Sequence, residues 1–212
     1  FTDFPILSVI CSLITAPPTT TLFPYTTLFR SVNDYVQQVK QSRNTAAPYV
    51  IYGHSMGALI GLLVTQKMEA FGDRPLELIV TGNAGPGTGL KKNRYLMSDD
   101  DFKKELIDLG GVPKEVLDTP ELYEFFAPIM RADFEILEKT PIETPNYILE
   151  TPIKAIMGSE EETSVEIGNW KNYTASNCSL KILEGNHFFI HKHVDFLANT
   201  LIDSLNGSLA IK

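Results

Sequence analysis

The sequence predicts an α/β fold: a parallel sheet flanked by helices. Short β-branched and aromatic runs alternate with helical apolar periods along most of the chain. The segments between successive runs are long enough for crossovers between parallel strands. Hydrophobic residues make up 43% of the 212 residues against 21% charged, the balance of a globular domain with one large core.

In chain order, Val32, Val36 and Val39 recur at helical spacing with Tyr35 beside them, and the pattern stops across residues 44–48. A helix therefore leads into the first strand, residues 49–52, Tyr-Val-Ile-Tyr. A second helix over 56–71 carries apolar Leu59, Leu62, Leu63 and Met68 and is closed by Gly72. Residues 76–81, Leu-Glu-Leu-Ile-Val-Thr, complete a β-α-β unit. A strand at 153–157, a helix at 166–173, a strand at 180–183 and a final helix at 189–205 repeat the alternation. Residues 98–140 interrupt it, with helical periods and no strand between them. Ser98 caps a turn holding Asp99, Asp100 and Asp101, Gly110-Gly111 ends that helix, and 121–138 reads as one or two further helices around Pro128. Such an insertion after a sheet strand is placed to cover an active site.

Lys and Arg number 18 against 26 Asp and Glu, a net charge of -8, which disfavours a nucleic-acid partner. Cys11 and Cys178 cannot build a disulfide framework, and the expected compartment is the reducing cytoplasm. The longest apolar stretch, residues 4–16, falls short of the roughly 18 residues that span a bilayer, and no basic residue precedes it as in a signal peptide. No membrane partner is expected. Residues 1–31 differ in composition from the rest, with Asp3 and Arg30 as their only charges. Their last part, 21–31, resembles translated sequencing-adapter readthrough, so 1–31 is expected to be a non-family segment ahead of a domain over 32–212.

The chemistry begins at Gly53-His-Ser-Met-Gly57. A serine between a strand and a helix sits on a sharp turn, and the flanking glycines leave room where Cβ atoms would clash. The turn lifts the Ser55 hydroxyl over the C-terminal edge of the sheet and aims the Met56 N–H at an oxyanion formed there. This is the nucleophile elbow of the α/β-hydrolase fold, in which an acid and then a histidine follow along the chain. A serine hydroxyl needs a base. His187, in the loop after strand 180–183, lies at the same edge as Ser55. His54 is read as pointing away, and His191 and His193 as lying within the last helix. A metal site on His187, His191 and His193 lacks a carboxylate cluster, so no metal or organic cofactor is expected. The acid belongs in the loop after strand 153–157, Gly158-Ser-Glu-Glu-Glu162, where Glu160, Glu161 and Glu162 are all candidates.

Together, Gly53-His-Ser-Met-Gly-Ala58, Met97-Ser-Asp-Asp-Asp-Phe102, Leu109-Gly-Gly-Val-Pro-Lys-Glu-Val-Leu117, Pro120-Glu-Leu122, Met130-Arg-Ala-Asp-Phe134, Trp170 and Gly185-Asn-His-Phe-Phe189 resemble a type II thioesterase. These are the stand-alone editing hydrolases of nonribosomal peptide and polyketide synthesis. The resemblance runs over residues 32–205 with the motifs in order. It implies a Ser-acid-His triad on Ser55 and His187, with the acid three residues after the glycine, Glu161, where the family usually has aspartate. It implies a monomeric enzyme that cleaves acyl or peptidyl thioesters from the phosphopantetheine arm of a carrier protein. Lys91, Lys92 and Arg94 are the densest positive cluster near the expected entrance for such an acidic partner. A general carboxylesterase or lipase, and an inactive scaffold, are the competing readings. The family's second oxyanion donor comes from an N-terminal glycine-rich loop that residues 1–31 do not match. Residues 4–16 can fill one strand position beside 49–52, but without that loop low solubility and turnover at least about 100-fold below a version with a family N-terminus are expected.

Overall fold

The computed structural model describes residues 9–10, 24–42, 47–88, 92–139 and 147–207. Five parallel strands form one sheet in the order β1 (Val9–Ile10), β2 (Ile51–His54), β3 (Leu78–Thr81), β4 (Ile153–Gly158) and β5 (Cys178–Leu183). β1 pairs with β2 over Val9↔Tyr52 and Ile10↔Gly53, so part of segment 4–16 does occupy the strand position beside the elbow strand. β3 is the middle strand and all four of its residues are buried, as expected of a parallel sheet covered on both faces.

Period-two alternation assigns the two faces. Ile51, Leu78, Val80, Ile153, Ala155 and Met157 join one core with Val32, Val36 and Val39 of α1 (Pro24–Ser42) and with α2 (Met56–Ala70). Tyr52, Ile79, Ile156 and Leu183 point the other way, against Phe189 and Leu197, the latter on α6 (Val194–Asn206). α2 is buried around most of its circumference because α1 covers the side turned away from the sheet.

The insertion forms three helices: α3 (Asp99–Leu109), α4 (Lys114–Asp118) and α5 (Pro120–Lys139). The Ser98 hydroxyl accepts from the Asp101 N–H, and Gly110 ends α3 in the left-handed region at φ 78°. α5 runs through Pro128 as one helix. Phe102, Leu106, Leu117, Tyr123 and Ala127 make a core of their own, with the Arg131 guanidinium over the Phe102 ring at 4.2 Å. Two helices read from the sequence take a form that the sequence did not specify. Residues 164–173 form a 3-10 helix, in which side chains three apart eclipse, so Ile167, Trp170 and Tyr173 fall on one buried face. The last helix begins at Val194, after a separate 3-10 turn, Phe189–His191; His191 closes that turn and His193 caps α6, so neither lies within the helix. Among the described residues no helix is long and apolar enough to cross a membrane.

Candidate active site

Ser55 is held at φ 57°, ψ -118°, one of two non-glycine residues with positive φ among those described. Its N–H donates to the Thr81 carbonyl at 2.8 Å, and its own carbonyl accepts from the Ala58 N–H and the Asn83 amide. A Cβ at position 53 would lie 2.1 Å from the Gly57 carbonyl oxygen, so the turn closes only with glycine there. Met56 begins α2, where helix N–H groups have no intrahelical acceptor, and its side chain is buried beneath the turn.

The pairing of β4 with β5, ending at Gly158↔Leu183, sets the two following loops side by side. They are knitted together: Ser159 N–H donates to the Leu183 carbonyl at 2.7 Å and Glu160 N–H to the Gly185 carbonyl at 3.0 Å. Gly158 has no space for a side chain, and Gly185 sits at φ 131°, where a side chain is strained. In this frame the Ser55 hydroxyl lies 3.0 Å from His187 Nε2, and His187 Nδ1–H donates to Glu161 Oε2 at 2.7 Å. Glu161 Oε1 accepts from the Gly158 N–H at 2.8 Å, so its longer side chain folds back and binds its own loop. Only 8% of that side chain is exposed. Of the three glutamates the structure brings Glu161 to the imidazole; Glu160 is exposed and Glu162 pairs with Lys92 at 3.1 Å.

His54 does not point away. Its ring lies 4.9 Å from that of His187. Its Nδ1 bonds Thr81 Oγ1 at 3.0 Å. Burial, with His187 and His191 nearby, lowers its pKa to about 3. The signal that sequence reasoning passed over is alternation, which puts residue 54 on the same sheet face as Tyr52. His193 Nε2 bonds the Glu184 carbonyl and His191 stacks on Phe188, so the three downstream histidines diverge. The positive cluster is not a free patch: Lys92 pairs with Glu105 and Glu162, and Arg94 with Glu105 and Glu138. Lys91 lies outside the described residues.

Two further segments frame the site. The Trp170 indole N–H donates to the Asn83 carbonyl at 2.7 Å, and the Asn169 amide and Tyr173 hydroxyl to that of Pro86, which ties down the loop after β3. On the other side the turn after α3 presses on the histidine loop. A Cβ at Gly111 would lie 1.9 Å from the Phe188 ring, and one at Gly110 2.9 Å from the Asn186 amide. Phe188 in turn stands edge-on to His187, with centroids 5.1 Å apart.

The sequence model of the thioesterase domain matches residues 18–205. The chain belongs to that family. The probable cadicidin biosynthesis thioesterase of Streptomyces griseus is 27% identical over 165 residues, covering 77% of this chain and 45% of the relative. The gramicidin S biosynthesis protein GrsT of Aneurinibacillus migulanus is 29% identical over 173 residues, covering 80% and 66%. Among solved structures, ClbQ from the colibactin NRPS/PKS pathway superposes with a TM-score of 0.71 at 26% identity, covering 84% of this thioesterase chain and 77% of its own. The fold is thus that of the α/β-hydrolase thioesterases. The chain spans about half to two thirds of the length of these curated relatives.

Proposed function

We propose that this chain is a serine hydrolase that cleaves acyl or peptidyl thioesters from the phosphopantetheine arm of a carrier protein, as an editing enzyme of nonribosomal peptide or polyketide synthesis. The observation that carries this is the continuous line from Ser55 through His187 to Glu161, with separations of 3.0 and 2.7 Å, in a thioesterase-family fold. Ser55 Oγ attacks the thioester carbonyl while His187 Nε2 takes its proton. The Met56 N–H faces the oxyanion of the tetrahedral intermediate. The C–S bond breaks, the departing thiolate receives the proton from His187, and an acyl ester remains on Ser55. His187 then activates water, which releases the free acid. Glu161, acting only as an acceptor, holds the imidazole in the tautomer that keeps Nε2 open and stabilises the imidazolium. The relatives named for gramicidin S and cadicidin biosynthesis support the carrier-bound substrate class. A monomer working in the cytoplasm fits this role.

The experiment compares the purified chain on an acyl group carried as a phosphopantetheinyl thioester on a carrier protein and on the same acyl group as a simple oxygen ester. Faster release from the carrier is expected, lost in Ser55→Ala. Preference for the oxygen ester would identify a carboxylesterase instead.

A further inference from the structure

We propose that His54 is a positioning residue for His187: an imidazole wall, fixed to the sheet, against which the base packs so that its ring stays aligned between Ser55 and Glu161. This rests on the reading of His187 as the base. The two hydrogen bonds of His187 hold its ring at two atoms, Nδ1 and Nε2. They oppose tilting of the ring about the line joining Nδ1 and Nε2 only weakly, and such a tilt bends the Nε2 lone pair away from the hydroxyl proton. Contacts on the ring itself are needed to stop it. Phe188 supplies an edge-on contact, but it belongs to the same loop as His187 and would move with it. His54 supplies the other, at 4.9 Å and 38° between planes, from a sheet strand.

The anchoring of His54 explains why a wall can stand there. Thr81 on β3 is wholly buried. Its hydroxyl donates towards the Gly53 carbonyl at 3.5 Å, which leaves its lone pairs to accept from the Tyr52 hydroxyl and from His54 Nδ1–H, each at 3.0 Å. His54 is thus clamped by the strand next to its own, and it directly precedes Ser55, so wall and nucleophile share one rigid element. The space both rings occupy is kept clear by Gly82, at φ 61°, where a Cβ would lie 2.5 Å from His54 Cε1 and 3.2 Å from His187 Cε1. His54 Nε2 is buried with no hydrogen-bond partner among the described residues. The depressed pKa of His54 also keeps it uncharged, so it sets no second positive charge against the imidazolium.

Two variants separate the wall from its anchor. His54→Asn keeps a nitrogen where Nδ1 bonds Thr81 and removes the ring; His54→Phe keeps a ring and drops the bond. The readouts are kcat and KM on an acyl thioester, the rate at which a fluorophosphonate labels Ser55, and thermal melting. His54→Asn should lose about 10- to 100-fold in kcat and in labelling rate with KM little changed, the cost of misplacing a catalytic group by a fraction of an ångström to about 1 Å. His54→Phe should recover most of that loss. Normal rates in a folded Asn variant, or a Phe variant as slow as Asn, would overturn the wall. If the Asn variant does not fold, the Phe variant decides alone, since a large loss of kcat there refutes the proposal. Absence of labelling in the wild-type chain would remove the reading of Ser55 and His187 itself, and this inference with it.

Discussion

Replacing Glu161 by glutamine changes one oxygen for an NH2 group, and the geometry makes both amide orientations fail. The carboxylate accepts twice, from His187 Nδ1–H at 2.7 Å and from the Gly158 N–H at 2.8 Å. If the amide oxygen faces His187, its NH2 meets the Gly158 N–H, donor against donor, in a site with little access to water. That costs about 1–3 kcal/mol, or about 5- to 150-fold in the population of the productive arrangement. If the amide turns over, its NH2 donates to Nδ1, the imidazole proton moves to Nε2, and the base can no longer accept from Ser55. In the productive orientation the imidazolium also loses a charged partner, worth about 1.5–3 kcal/mol as a hydrogen bond to a charged group. The two terms together give a kcat about 10²- to 10⁴-fold lower. Glu160→Gln and Glu162→Gln, on exposed side chains, should stay close to wild type. Steady-state hydrolysis of an acyl thioester and fluorophosphonate labelling of Ser55, with melting curves to verify folding, measure the difference. Equal effects at all three positions would refute the assignment of the acid.

Ser55→Ala should lose hydrolysis and labelling with an unchanged melting midpoint, since the Cβ and its strain at φ 57° remain. Ser55→Gly relieves that strain and should be more stable than Ser55→Ala by about 1 kcal/mol in urea melts, the net of about 1–3 for strain and about 0.4–1 for chain entropy. Asp133 on α5 is half-buried, and burial raises its pKa to about 6. The folded state then holds a proton that the unfolded chain releases near pH 4, so this group's contribution to stability falls as pH rises from about 4 to 6. Asp133→Asn should therefore stabilise the protein at pH 7 by up to about 3 kcal/mol and give no gain at pH 4, as read by paired melts. Lys92→Glu places a third carboxylate beside Glu105 and Glu162. It should cost about 1 kcal/mol of stability and slow carrier-bound and small thioesters by the same factor; a KM effect confined to the carrier substrate would restore a docking role to this cluster.

What was legible in the sequence had local steric or periodic causes. Gly53 and Gly57 announce the elbow because backbone meets backbone there, and Val32, Val36 and Val39 announce α1 because one stripe faces the core. The helix at 166–173 is legible as a helix, and its 3-10 character shows only in the three-residue repeat of Ile167, Trp170 and Tyr173. The choice among Glu160, Glu161 and Glu162 depends on the back-bond from Glu161 to Gly158, a turn geometry that composition does not reveal. The place of His54 depends on β5 delivering His187 to the same edge, and the pairing of Lys92 and Arg94 on how the insertion folds over the body. Alternation gives the face of His54, but its contact with His187 and the ion pairs of Lys92 and Arg94 are tertiary facts.

The diglycine turn after α3 has a consequence for redesign. Because the Phe188 ring fills the volume that a side chain at 111 would need, the helical insertion is registered against the histidine loop at that point and not merely laid beside it. Helices swapped into the insertion from a related protein would have to keep a bare residue there. Even Gly111→Ala, a change of one methyl group far from the chemistry in sequence, would displace the Phe188 ring that stands edge-on to His187. The most permissive sites for grafting are therefore the outer faces of α3 and α5, where Ile107 and Phe125 already stand in solvent.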